Sequence, residues 1–328
     1  MPRRPLPALQ LARDGVLTRE AVLAAGLDAD GPDRLVRRGR AQRLAPSTYL
    51  VTDSPATDEQ LVLAALAHAG ADAVITGPLA CRVLGLVDVP SSPAADVLVP
   101  AGRRRVSTPW VRVHPTTRPP RWWPHCSGAR VAEPHRAVVD TCRGRTDLRE
   151  IRALLLAAVA SGQCCVDALR VELDTGARHG TAMFRRALGD AERGAWSAPE
   201  AEVADVVRAA RLPPFLLNPT LLIAGTVVGR PDGWFLGLGL GWEVESRRHH
   251  AGGEDFDATL ARHDRFAAHG LQLLHVTPRR ARALGDRYAE VLRAAVNARR
   301  RAASPEPPGL VVRPYVPRSS TRPISGST

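Results

Sequence analysis

One short segment constrains the fold of this chain more than any other: residues 229–246, with the sequence GRPDGWFLGLGLGWEVES. Asp232 lies between a proline and a glycine, and Glu243 follows eleven residues later. This spacing predicts a hairpin that places Asp232 on one strand and Glu243-Val244-Glu245 on the next. Since residues i and i+2 of a strand face the same side, we expect Glu243 and Glu245 to point together while Val244 faces the core.

Three carboxylates at one edge of a small sheet repel one another unless a divalent cation lies between them. Hard oxygen ligands favour Mg²⁺ or Mn²⁺. Such an ion activates a water molecule and offsets the charge that develops on a phosphate during nucleic-acid cleavage. The pattern is short, however. A Pro-Asp-Gly turn followed by a half-exposed strand, without a metal, gives the same sequence and is the more common explanation. Both interpretations stay open.

The chain contains no lysine, and all 45 of its Lys-plus-Arg residues are arginine. A Schiff base on a side chain and a phosphate-binding loop that ends in Gly-Lys-Ser/Thr are therefore excluded. In many carboxylate nucleases a lysine two residues after the second acid orients the attacking water, and Glu245 holds that position here. Arg247 and Arg248 could hold a phosphate, but a guanidinium is a poor proton acceptor. We expect His249 or His250 to transfer the proton, because imidazole titrates near neutral pH.

The charge balance indicates a polyanionic partner. There are 45 basic and 33 acidic residues, which gives a net charge of +12 and a pI near 10.9. A GC-rich coding bias explains arginine in place of lysine, but it does not explain the excess of bases over acids.

Several features predict a cytoplasmic protein without a membrane partner. The five cysteines are scattered and lack zinc-ligand spacing, which favours buried thiols in a reducing compartment. Arg13 and Asp14 come before any apolar run of signal-peptide length. No stretch approaches the roughly 18 apolar residues of a membrane span.

The sequence pattern of residues 1–53 predicts a winged helix-turn-helix. Thr18 precedes a helix that ends at Gly26, and a basic helix over residues 33–38 ends at Gly39. Residues 40–51 alternate like two small strands around Pro46-Ser47. In this order the second helix enters the major groove of DNA and the hairpin lies on the backbone. A solvated basic face is the alternative. The predicted DNA-binding residues are Arg34, Arg37, Arg38, Arg40 and Arg43, and the first three share a helix face.

This module resembles the N-terminal domain of AbiEi-type antitoxins of type IV toxin–antitoxin systems. The matching segments are Gly15-Val16-Leu17-Thr18, Leu35 to Arg40, and Tyr49-Leu50-Val51. Pro46-Ser47-Thr48 departs from the Arg-Gly that precedes the hydrophobic-Tyr pair in such wings. The resemblance implies DNA as a partner, together with a nucleotidyltransferase-type toxin. The Gly-Ser and paired-Asp motif of the toxin is absent from this chain.

Residues 55–195 predict a mixed α/β middle region without a catalytic constellation, and His135 and Asp140 are expected to be structural. A Pro-rich segment over residues 115–124 is predicted to be a loop whose two tryptophans pack against the domain. The pattern predicts helices over 58–69, 77–86, 151–160 and 167–173, and strands over 95–100 and 110–114.

Residues 196–302 predict a restriction-endonuclease-like core. Ser197-Ala198-Pro199-Glu200 is a capping box that begins a helix ending near Ala210. Together the sequence patterns of the three parts predict an α/β (α+β) fold. Residues 303–328 are predicted to be a disordered tail, in which Arg313, Arg318 and Arg322 add non-specific DNA affinity. Strands are predicted over 215–217, 221–228, 234–238, 241–246 and 272–276, and helices over 255–268 and 278–300.

The C-terminal part resembles very-short-patch-repair-like domains, which belong to the PD-(D/E)xK group of nucleases. The resemblance implies that Asp232 and Glu243 hold the metal, and that Glu245 and Glu200 assist. Glu245 replaces the usual Asp, which keeps the charge but changes the metal geometry. The residues that carry the resemblance are Ser197 to Glu200, Pro231-Asp232, Glu243 to Glu245, His249-His250, Arg262-His263-Asp264-Arg265 and Gly270.

Two functions follow from these patterns. The first is a metal-dependent DNA endonuclease acting in phage defence or DNA repair, in which Arg262 and Arg265 reach the scissile phosphate. The second is a non-catalytic, antitoxin-like transcriptional regulator. Glu200 is equally well explained as a helix cap, and Arg262 with Arg265 as an exposed ridge. The missing lysine favours the regulator, and the retained acids favour the enzyme.

Overall fold

The computed structural model describes residues 10–51, 54–103, 105–245, 253–284, 286–302 and 306–316, and the fold is mixed α/β, as predicted. It divides into two compact units, one from residues 1–146 and 168–184 and the other from residues 147–167 and 185–328. The predicted middle region therefore contributes to both units, because residues 147–167 and 185–195 belong with the C-terminal part of the chain while residues 168–184 belong to the first unit.

Two helices followed by a hairpin form the N-terminal part of the first unit. These elements follow one another in the predicted order, and the assignment as a winged helix-turn-helix stays a prediction. The N–H of Ala21 donates to the hydroxyl of Thr18 at 3.1 Å and caps the first helix. Ser47, at the hairpin turn, has φ 63°. The elements are β1 (Val16–Thr18), α1 (Arg19–Ala24), α2 (Gly31–Arg37), β2 (Gln42–Ala45) and β3 (Thr48–Leu50). The three strands form one antiparallel sheet in the order β1-β3-β2.

A five-stranded mixed sheet forms most of the rest of the first unit, with the strand order β6 (Val111–Thr116), β5 (Ala95–Pro100), β4 (Val74–Thr76), β8 (Arg130–Ala132) and β7 (Trp122–Pro124). The first helix begins with a capping box in which Thr57 and Gln60 satisfy each other's backbone N–H groups. The elements are α3 (Asp58–Ala69), β4 (Val74–Thr76), α4 (Gly77–Val83), β5 (Ala95–Pro100), β6 (Val111–Thr116), β7 (Trp122–Pro124), β8 (Arg130–Ala132) and α5 (Pro134–Cys142).

The prediction of a packed tryptophan loop over residues 115–124 is wrong at both ends, because Pro115 and Thr116 belong to β6 and residues 122–124 form β7. Trp122 begins β7, which pairs with β8, and its side chain is 43% exposed. The guanidinium of Arg130 lies over the Trp122 ring at 4.9 Å, so a cation–π contact replaces burial in the domain.

The second unit contains the predicted helix, antiparallel strands, helix and parallel strand in that order. Its four-stranded sheet has the order β14-β13-β12-β9, in which only the β13–β14 pair is parallel. The remaining elements of the chain are α6 (Leu148–Ala160), α7 (Val166–Thr175), α8 (Ala182–Glu192), α9 (Ala198–Ala209), β9 (Phe215–Leu217), β10 (Thr220–Ile223), β11 (Thr226–Gly229), β12 (Gly233–Phe235), β13 (Leu240–Val244), α10 (Gly253–Ala268), β14 (Gln272–Val276), α11 (Pro278–Leu284), α12 (Asp286–Arg301) and β15 (Leu310–Arg313).

Two predictions about this unit are wrong. The single strand expected over 221–228 is a hairpin, because Ala224 and Gly225 both have positive φ and reverse the chain. The tail expected to be disordered contains β15, which pairs with β10 in the three-stranded sheet β11-β10-β15. Leu310 and Val312 pack against a cluster of buried apolar side chains, and this burial offsets the entropy of ordering the strand.

Close packing of tryptophan against glycine fixes the hairpin of β12 and β13. Gly233 pairs with Trp242, and Trp234 pairs with Gly241. A Cβ atom on Gly233 would lie 2.0 Å from the Trp242 ring, and one on Gly241 would lie 2.7 Å from Trp234. Both tryptophans are fully buried. Glycine at these two positions therefore sets the register of the strands that carry the candidate site.

Two further expectations concern the whole chain. The four cysteines whose side chains the structure describes are buried, as predicted for thiols: Cys81, Cys142, Cys164 and Cys165. Burial raises the pKa of the Cys81 thiol to about 12. Of the helices in the described ranges, none has the length and apolar character that a membrane crossing needs.

Candidate metal centre and nucleic-acid interface

Strand register brings Asp232 beside Glu243. Because Gly233 pairs with Trp242 in an antiparallel ladder, the preceding Asp232 lies opposite the following Glu243. The N–H of Val244 donates to Oδ2 of Asp232 at 2.6 Å. The N–H of Asn218 donates to the carbonyl oxygen of Asp232 at 3.1 Å. Asp232 therefore points toward the strand that carries Glu243.

Glu200 supplies a third carboxylate from the first turn of α9. The hydroxyl of Ser197 donates to its Oε1 at 2.7 Å, while the N–H of Trp196 and the amide of Asn218 donate to its Oε2 at 2.9 and 2.7 Å. Each oxygen of Glu200 thus accepts at least one hydrogen bond within the protein. The predicted capping role is present, and Glu200 also anchors the residue that holds the backbone of Asp232.

The pKa values of these carboxyl groups are raised because the groups are buried close together. Burial raises the pKa of Asp232 well above its usual value, and the charges of Glu200 and Glu243 raise it further, against the opposing effects of the Val244 N–H and of Arg262. The pKa of Glu243 is raised to about 7, chiefly by burial. The positive charge of Arg262 opposes this rise, and the charges of Glu245 and Glu200 add to it. A proton or a cation relieves this repulsion.

Glu243 is the carboxylate of this group that is best placed to accept a ligand. It is 4% exposed, and Oε2 lies 3.5 Å from Nη2 of Arg262. Its Oε1 has no hydrogen-bond partner among the described residues. Since a buried polar oxygen without a partner is costly, this atom is a candidate ligand atom for a cation. Arg262, predicted to reach a phosphate, contacts Glu243 in this arrangement, and Arg265 is exposed.

Glu245 faces two histidines that the sequence patterns did not single out as ligands. Oε1 of Glu245 lies 2.9 Å from Nδ1 of His275 in β14. The ring of His275 is 4.1 Å from the ring of His263 in α10, measured between centroids. One ligand atom from each of the three residues lies within 4.8 Å of the other two. Two residues along a strand span about 6.6 Å, so Glu243 and Glu245 reach different neighbours although they share a face.

The register between β13 and β14 explains why these histidines were missed. Glu243 pairs with His275 across the parallel ladder, and α10 lies between the two strands in the chain. A local pattern carries no information on such a register. The one available signal was a histidine in an otherwise apolar strand, together with His263 in the arginine-rich helix. His249 and His250, predicted for proton transfer, lie outside the described residues, as do Arg247 and Arg248.

The five predicted DNA-binding arginines of the N-terminal module fall into two groups. Arg34 pairs with Asp28 at 2.5 Å, and Arg43 pairs with Asp33. The other three, Arg37, Arg38 and Arg40, are exposed. Acids outside the run of arginines therefore neutralise two of the five charges.

Asp33 is the centre of a polar network behind this surface. It accepts hydrogen bonds from Arg19 at 2.6 Å and from the Tyr49 hydroxyl at 3.0 Å, and it also pairs with Arg43. Partial burial raises the pKa of Asp33, but the hydrogen bonds from Arg43, Arg19 and Tyr49 outweigh it and lower the value to about 2. The network joins α1, α2 and the hairpin of β2 and β3, so it fixes the two helices relative to this hairpin.

Comparison with known proteins identifies no relative from which the function of this chain can be inferred. No family model and no curated protein matches the chain. Among solved structures it is similar to the RV2827C protein from Mycobacterium tuberculosis, with 20% sequence identity and a TM-score of 0.35 over 60% of this chain and 78% of that one. A likeness of this degree implies nothing about function.

Proposed function

We propose that this chain binds DNA through its winged helix-turn-helix and cleaves or nicks DNA with a divalent cation held by Asp232 and Glu243. The observation that carries the proposal is the pair of opposed carboxyl groups whose burial and mutual repulsion raise both pKa values, while Oε1 of Glu243 has no partner in the described part of the chain. Oxygen ligands of this kind suit Mg²⁺ or Mn²⁺.

The residues present fit such an ion. When bound, it would polarise the scissile phosphate and lower the pKa of a bound water. Neutralising Glu243 would release Arg262, whose guanidinium could then bind a phosphate oxygen. Asn218 positions Asp232 by donating to its carbonyl oxygen, and Glu200 holds the side chain of Asn218. Glu200 thus acts through Asn218, and a proton-transfer role for His249 or His250 stays a prediction.

DNA binding is proposed for the exposed arginines Arg37, Arg38 and Arg40. They lie at the end of α2 and in the connection to the wing, where a winged helix-turn-helix contacts phosphates and base edges. Arg34 and Arg43 are less available, because breaking their pairs with Asp28 and Asp33 opposes contact with DNA.

The alternative is a non-catalytic, antitoxin-like regulator with a nucleotidyltransferase-type toxin as its partner. The observation in its favour is that protein groups already engage part of the acidic set. Glu200 accepts hydrogen bonds on both oxygens, and Oε2 of Glu243 lies 3.5 Å from Nη2 of Arg262. These contacts support a structural role for the two glutamates, which a non-catalytic protein would retain.

Incubation of the purified full chain with supercoiled plasmid and with single-stranded DNA, in Mg²⁺ or Mn²⁺, separates these functions. Nicked or linear product that requires the metal supports the nuclease. If DNA is bound but no product forms with either metal on either substrate, the regulator is the better account.

A further inference from the structure

Glu245, His263 and His275 form a second cluster whose donor atoms differ from those of the carboxylate pair. Two imidazoles and one carboxylate meet where β13, β14 and α10 come together, with their ligand atoms within 4.8 Å of one another. The donor atoms of a tetrahedral zinc site, with bonds of 2.0–2.1 Å, lie about 3.3 Å apart. The 2.9 Å separation of Glu245 Oε1 and His275 Nδ1 is close to that value. The separations from the His263 ligand atom are at most 4.8 Å, so side-chain rotation would have to bring His263 closer to the other two residues.

The structure contains an independent sign that a ligand belongs here. Nε2 of His263 is buried and has no hydrogen-bond partner among the described residues. The centroid of its ring lies 4.1 Å from that of His275. A buried ring nitrogen that is left unsatisfied costs free energy, and binding a metal is one way to recover it.

We propose that Glu245, His263 and His275 bind a transition-metal ion of the Zn²⁺ class. Imidazole nitrogens select this class over Mg²⁺, which prefers oxygen ligands and retains its water shell. Three protein ligands leave a coordination position for water, as in catalytic zinc sites, and such a water loses its proton near neutral pH. The site lies beside Glu243, and a contribution to cleavage rests on the proposed nuclease function, whereas binding of the ion does not.

The test uses the full chain after treatment with a chelator. Co²⁺ is added as a visible probe, and Zn²⁺ affinity is measured by competition against it. In excess Mg²⁺, which would occupy the carboxylate pair, the wild-type protein is expected to bind one equivalent of Co²⁺ with d–d absorption bands of a site containing nitrogen ligands. His263→Ala and His275→Ala are expected to weaken binding at least about 100-fold, since even the loss of a residue outside the ligand set costs about 10–100-fold.

His269→Ala is the matched control, because His269 is exposed and lies just after the same helix. It should bind as the wild type does. Glu245→Gln preserves size and tests the site should His275→Ala fail to fold. No Co²⁺ bands in the wild type, or equal weakening by His263→Ala and His269→Ala, would overturn the proposal. Asp232→Asn should leave Co²⁺ binding intact, so a failure of the nuclease proposal is distinguishable from a failure of this one.

Discussion

Asp232 accepts a 2.6 Å hydrogen bond from the main-chain N–H of Val244, the residue between Glu243 and Glu245. The bond joins the turn before β12 to the end of β13, so the aspartate and the two glutamates belong to one rigid hairpin. It engages Oδ2 of Asp232, and an asparagine side chain could accept the same bond through its oxygen. The substitution Asp232→Asn therefore separates the charge of this residue from its structural role.

Without metal, Asp232→Asn is expected to leave the thermal midpoint unchanged or to raise it by a few degrees. The reason is that burial and the neighbouring acids Glu200 and Glu243 disfavour the charged aspartate. Adding Mn²⁺ should raise the midpoint of the wild type by mass action and leave that of Asp232→Asn unchanged. Thermal unfolding with chelator and with Mn²⁺ measures both effects. An equal rise in the two proteins would show that the ion binds elsewhere.

Asp33→Asn is expected to lower stability in a pH-dependent way. The folded pKa of Asp33 is about 2, below its usual 3.8. A carboxyl group with a lowered folded pKa contributes stability above the unfolded value, and this stability is lost as the pH falls through the folded value. The variant should therefore melt a few degrees below the wild type at pH 7, and the difference should shrink as the pH falls from about 4 toward 2. Asp28→Asn, which breaks a solvent-exposed pair, serves as the control. A difference that does not depend on pH would contradict this account.

Arg37→Ala and Arg38→Ala should each reduce the slope of log affinity against log salt by about one if the arginine contacts a phosphate. An arginine that reads a base edge should instead cost roughly 1–3 kcal/mol at its own site and relax specificity there. Thermal midpoints should not change, because both side chains are exposed. The full chain is the appropriate reagent, since α3 packs against the sheet of the N-terminal module. Identical affinity and slope in wild type and variants would mean that this face is only solvated.

Arg152→Ala is expected to destabilise the second unit by about 3–5 kcal/mol. The guanidinium of Arg152 is buried and donates to Asp190 at 2.6 and 2.8 Å and to Asp205 at 2.6 Å. Removing it leaves the buried Asp190 without its main counter-charge. Arg193→Ala removes a half-exposed partner of the same aspartate and should cost only about 0–1 kcal/mol. Urea unfolding of the two variants provides the comparison, and equal losses would contradict it.

Local patterns predicted the elements that carry their own signals. The bounds of α3, β5, β9 and β14 agree with the predictions, because caps, turns and apolar runs mark these segments in the chain. The opposition of Asp232 and Glu243 was also predictable, since a hairpin of defined spacing connects them. Within the candidate site, such short-range geometry is the part that a single sequence encodes.

The features that the sequence patterns did not predict depend on contacts between residues that lie apart in the chain. The contact of Glu245 with His275 depends on the register of a parallel strand that follows α10. The strand β15 forms only because β10, far earlier in the chain, offers a free edge and an apolar surface. The pairs of Arg34 with Asp28 and of Arg43 with Asp33 depend on side-chain directions across turns. None of these relationships leaves a local pattern.

The most direct test of the central claim is the single-turnover rate of plasmid nicking by the wild type, Glu243→Gln and Glu290→Gln in Mn²⁺. Glu290 is exposed on α12 and provides the matched control. We expect the wild type and Glu290→Gln to nick at the same metal-dependent rate, and Glu243→Gln to lose at least about 100-fold while it binds DNA with equal or higher affinity. Nicking by Glu243→Gln at the wild-type rate would contradict the assignment of this carboxylate pair as a catalytic metal centre.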